Sequence, residues 1–146
     1  MLSNPGLFAE LMVGMQHPDP VIRMRAADAA EKVSARHPDY LSPYKHELLY
    51  QIAQSTQQEE RWHVAQMLPR LALTVDEQAA AVTLLHTYLN DPSAIVQTFA
   101  LDALATFAQR DPTLRPEVTR LLHQAQAAEG AAVRARAKKL LAALNG

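Results

Sequence analysis

A motif that occurs twice, 74 residues apart, constrains this chain more than any other feature. His17-Pro18-Asp19-Pro20-Val21-Ile22-Arg23 opens a run in which Ile22, Ala26, Ala29, Ala30 and Val33 recur at helical spacing. Asp91-Pro92 leads Val96, Ala100, Ala103, Leu104 and Phe107 in the same way, and Asp28-Ala29-Ala30 is answered by Asp102-Ala103-Leu104. Two weaker copies halve the interval: Ile22, Glu60, Val96 and Val133 fall in register, as do Ala26, Val64, Ala100 and Ala137. A chain built from one helix pair every 37 residues or so (roughly half of 74) must stack those pairs, because a single pair cannot bury its own apolar face.

The rest of the sequence agrees with helices. It is 49% hydrophobic and 20% charged, with four Gly and three Phe, a composition poor in the aromatic residues that strands prefer. Eight helices are expected. Asn4-Pro5 opens the first, with Leu7, Phe8, Leu11, Met12 and Met15 as its apolar face, and the organising motif forms the second. Ser42-Pro43 starts the third, and Thr56 with Glu59 reads as a capping box for the fourth, which Pro69 should kink. Thr74 with Glu77 caps the fifth, Asp91-Pro92 turns the chain into the sixth, and Gly130 separates the seventh from the eighth. The expected architecture is all-α: one domain over residues 1–146 with repeat units at about 4–37, 42–73, 74–110 and 112–145.

These residues resemble the HEAT repeat family. The Pro-Asp-Pro turn, the aliphatic–Arg pair Ile22-Arg23 and the small residues Ala26, Ala29 and Ala30 carry the likeness most strongly. The resemblance implies a right-handed α-solenoid of four antiparallel helix pairs whose second helices line the concave side. It also implies a ladder in which turn Asp residues hydrogen-bond the helix Arg residues of neighbouring repeats, with Asp91 and Arg61 the one pair expected intact. By position the Arg is present as Arg23, Arg61 and Arg134 but is Gln97 in the third repeat, and the turn Asp is kept only as Asp91, with His17, Ser55 and Ala128 elsewhere.

Reaction chemistry finds little support in the sequence. Without cysteine there is no disulfide, thiol nucleophile or thiolate site. The six histidines include no pair three or four apart on one helix and no His-Glu-x-x-His, so no metal site is expected. Ser3, Ser34, Ser42, Ser55 and Ser93 read mostly as helix starters, and Glu59, Glu60, Asp76 and Glu77 as first-turn acids. The expectation is a non-catalytic chain that needs no cofactor. No signal peptide or membrane span is apparent, so a cytoplasmic location is expected.

Charge and aromatic placement carry the functional reading. Net charge is -1, yet eleven of fourteen Lys and Arg residues fall on the second helices. Met24 and Trp62 point away from the intra-pair core on a helical wheel, and Phe99 and Leu101 stand on the neighbouring helix. A protein partner is therefore expected on a face with Met24, Trp62, Phe99 and Leu101 as apolar anchors and Arg25, Lys32, Arg61 and Arg136 as polar contacts. Arg25, Asp28 and Lys32 are spaced to neutralise one another, whereas Arg134, Arg136, Lys138 and Lys139 on the last helix are not. That cluster supports the alternative, nucleic-acid binding, as in HEAT-like DNA glycosylases. The apolar first helix also makes a homodimer through the first helix pair a third expectation.

Overall fold

The computed structural model describes residues 5–128 and 130–145. Among them there are eight α-helices and no strand: α1 (Pro5–Gly14), α2 (Pro20–Arg36), α3 (Lys45–Tyr50), α4 (Gln58–Met67), α5 (Val75–Tyr88), α6 (Ala94–Arg110), α7 (Arg115–Ala125) and α8 (Ala131–Asn145). Short 3₁₀ turns join several of them. The chain forms two compact units, Met1–Ala81 and Val82–Gly146.

In the first unit α2 packs against α1 on one side and α4 on the other. Asp19 caps α2, its Oδ1 accepting from the Val21 N–H at 2.8 Å, and Pro20 follows where a missing N–H costs no helical bond. Small residues let the helices close up: a Cβ at Gly14 would lie 2.9 Å from the Cβ of Ala26. Phe8, Met12 and Met15 turn inward from α1, and Phe8 meets Tyr40 and Tyr44 at ring-centroid distances of 5.7 and 6.0 Å.

Three local expectations need correction. The segment Pro38–Tyr44 is a 3₁₀ helix, so α3 begins at Lys45 rather than Ser42; Pro43, inside that segment, removes an N–H donor that a continuous α-helix from Pro38 would use. The Thr56–Glu59 capping box does not form. Ser55 Oγ takes the Gln57 N–H at 3.1 Å, and α4 starts at Gln58 with Gln57 at its cap. The α-helical part of α4 then ends at Met67, before Pro69, in a 3₁₀ turn. The Thr74–Glu77 box at the head of α5 does form, with Thr74 N–H donating to Glu77 Oε1 at 2.9 Å and Glu77 N–H to Thr74 Oγ1 at 3.2 Å. The Asn4 cap lies outside the described residues.

In the second unit α6 packs against α7 and α8, burying Val96, Ala100, Leu104 and Phe107. Ser93 caps α6 and Asp111 the 3₁₀ turn before α7. One bond recurs through both units. Arg23 donates to the carbonyl of His17, Arg61 to Ser55, Gln97 to Asp91 and Arg134 to Ala128, each reaching back six residues at 2.7 to 2.9 Å. The residues at the repeat's Arg position thus tie each helix to the turn before it, through the turn's backbone.

Candidate functional site

The expected binding residues divide between the units. Met24, Arg25 and Lys32 lie on α2 and Arg61 and Trp62 on α4, all in the first unit; Phe99, Leu101 and Arg136 lie on α6 and α8 in the second. Met24, Trp62 and Phe99 are half-buried, and Arg25 and Lys32 are exposed. Leu101 is a correction: only 1% exposed, it lies in the floor of a groove and cannot serve as a surface anchor. Its equivalent in α2 is Ala27, also buried, so both helices bury a wider sector than the wheel implied.

Trp62 is held by its neighbour. Its indole N–H donates to His63 Nε2 at 3.2 Å, while His63 Nδ1 stands 2.6 Å from the Glu59 carbonyl. That carbonyl can only accept, so Nδ1 carries the proton and a neutral ring leaves Nε2 bare for Trp62. Asp28 Oδ1, 3.4 Å from the same Nε2, becomes its partner when the ring is protonated. Asp28 also takes Lys32 Nζ at 2.9 Å, and this bond, first among the causes, holds its carboxyl below the ordinary value. The expected neutralisation of Lys32 by Asp28 is therefore present, and it extends across to α4.

Inter-helix charge contacts over more than thirty residues were not anticipated. Arg23 Nε lies 3.1 Å from Glu60 Oε1 and donates to Gln57 Oε1 at 3.0 Å. Glu60 is 1% exposed, its Oε2 finds no hydrogen bond among the described residues, and burial raises its pKa despite Ser55 and Arg23. Arg70 donates to Glu31 Oε2 at 2.7 Å, to the Glu31 carbonyl at 2.7 Å and to the buried Ser34 Oγ at 2.9 Å. A hint existed for Glu60 alone: it stands where Ile22, Val96 and Val133 are aliphatic.

The last helix is less free than its composition implied. Arg136 pairs with Asp102 on α6, and Arg134 donates from Nη1 to the Ala128 carbonyl. Lys138 and Lys139 are exposed and make no ion pair among the described residues. The Asp102–Arg136 pair stands in the same register as Asp28–His63.

The two units also build the same groove. In the first it is about 430 Å³ and in the second about 540 Å³. Met15, Gln16, Arg23, Gln51, Ser55 and Glu60 of the first correspond, 73 or 74 residues on, to Leu89, Asn90, Gln97, Gln124, Ala128 and Val133 of the second. The first groove has a charged pair in its floor; the second is uncharged, with His86 its one titratable lining residue. Among the described residues no group of three or more His, Asp or Glu could hold a metal ion, and no helix is long and apolar enough to cross a membrane. No family model, curated protein or solved structure matches the chain.

Proposed function

We propose that this chain is a HEAT-like α-solenoid of four antiparallel helix pairs, and that it serves as a non-catalytic protein-binding module. The observation that carries the reading is the side-chain tether to the carbonyl six residues back, made at each of the four register positions. A repeated, internally braced unit presents a preformed surface, which lowers the ordering cost of binding an extended or helical segment. The face in question is that of α2 and α4, where the half-buried Met24 and Trp62 stand near the exposed Arg25 and Lys32 and the tethered Arg61. Engagement of Arg134 and Arg136 within the fold leaves only Lys138 and Lys139 of the basic cluster, which weighs against nucleic acid.

Affinity capture with the purified chain, with and without nuclease and at low and high salt, tests the proposal. The expected result is a protein that survives both treatments and is lost with Trp62→Ala and with Met24→Ala, while both variants keep the wild-type thermal midpoint within a few degrees. Capture that vanishes with nuclease or salt, or that is indifferent to both substitutions, overturns it.

A further inference from the structure

One register position is treated differently in the first repeat. Glu60, Val96 and Val133 are 1%, 0% and 3% exposed, whereas Ile22 is 40% exposed. Beside Ile22, between α1 and α2, runs a groove of about 310 Å³ lined by Leu7, Leu11, Gly14 and Ala26, with Glu10 and Arg25 among its lining residues. Glu10 and Arg25 are exposed, and neither has an ion-pair partner among the described residues. The apolar stripe of the first helix divides: Phe8, Met12 and Met15 are buried in the core, and the half-buried Leu7 and Leu11 line this groove.

We propose that a second copy of the chain covers this groove in a two-fold homodimer, α1 and α2 of one protomer on α1 and α2 of the other. The groove is self-complementary: around a two-fold axis Glu10 of each protomer meets the partner's Arg25, and Leu7, Leu11 and Ile22 meet their own counterparts. Charge also rejects the other arrangement two copies could adopt. Where one helix packs on the next within a unit, an acid on the earlier helix faces the base position on the later one, as Asp102 faces Arg136, and Asp28 stands 3.4 Å from the His63 ring at the same position. In a head-to-tail stack α8 brings Lys139 to the acid's position and α2 brings Arg25 to the base's, so two cations oppose each other. The inference rests on the first helix pair and the repeat register; it shares Arg25 with the proposed α2 and α4 face, and self-association is read without any partner present.

Sedimentation velocity of the intact chain from low to high micromolar concentration tests it, with circular dichroism melts to verify that each variant is folded. The wild type is expected to show a closed monomer–dimer equilibrium. Ile22→Glu leaves it monomeric. Glu10→Arg and Arg25→Glu each weaken association about tenfold, by setting like charges across the axis, and the double variant Glu10→Arg/Arg25→Glu restores it. A wild type that stays monomeric, one that grows into an open-ended series, or a double variant no better than the singles overturns the proposal.

Discussion

The first unit laces its helices with charge at positions where the second mostly uses uncharged residues. Arg23 and Glu60 become Gln97 and Val133, while Glu31, Ser34 and Arg70 become Ala105, Ala108 and Ala143. Only Asp28–His63 has a charged counterpart, Asp102–Arg136. Even the crossing of the first two helices differs, since Gly14 in close approach to Ala26 corresponds to the buried Tyr88. Both units nevertheless carry the same turn tethers and the same groove. Backbone geometry in this repeat is thus set by capping and by the tether, and the inter-helix layer can be either polar or apolar. The polar choice is the more fragile, because each of its members depends on a partner for compensation.

The sharpest way to test that difference is to leave one partner alone. Glu31→Ala removes the carboxylate that faces the Arg70 guanidinium, leaving it the residue-31 carbonyl and Ser34 Oγ, and should cost about 2 kcal/mol in urea unfolding. The triple variant Glu31→Ala/Ser34→Ala/Arg70→Ala, which copies the second unit, should cost less than that single change. If the triple variant is the least stable of the set, the two layers are not interchangeable. Gly14→Ala should cost about 1.5 kcal/mol, because its Cβ cannot be placed without moving α1 off Ala26. An unchanged midpoint would mean that the first pair opens as readily as a pair propped by tyrosine.

Glu60→Val has the smallest expected effect and the opposite sign. Burial raises the Glu60 pKa in the folded chain, so the folded state holds this proton more tightly than the unfolded one. Its contribution is therefore most favourable below the ordinary carboxylate value of 4.5 and declines as pH climbs from there through the raised folded value. The valine variant should be more stable than wild type by about 1 kcal/mol at neutral pH, with the advantage shrinking on acidification. An advantage that is flat with pH would mean that Glu60 titrates in the fold as it does in the unfolded chain.

Much of the helix plan was legible because its determinants are local. Asp19-Pro20, Ser93 and the Thr74–Glu77 box act within three residues of where they stand. The limit shows in Thr56–Glu59, which has the same spacing as Thr74–Glu77 and fails: Ser55, one residue earlier, takes the Gln57 N–H, and the helix starts at Gln58 instead. Pairings such as Arg70 with Glu31 were out of reach, since 39 residues separate the partners and nothing in their spacing distinguishes them from solvated charges. Wheel positions misled for a related reason. Leu101 lies off the principal stripe yet is buried, because α6 is enclosed over a broader sector than a single partner helix would cover. Ile22 lies on the stripe yet is exposed, whereas Glu60, Val96 and Val133 at the same register position are buried, so residue type alone does not set exposure there.

The tether to the turn asks for reach and an N–H, and Gln97 shows that it does not ask for charge. Guanidinium and carboxamide can therefore trade places there while the turn keeps its shape. The electrostatic potential beside each such turn can then drift by one elementary charge, and a chain could move from repelling to attracting a given partner there without repacking a single helix.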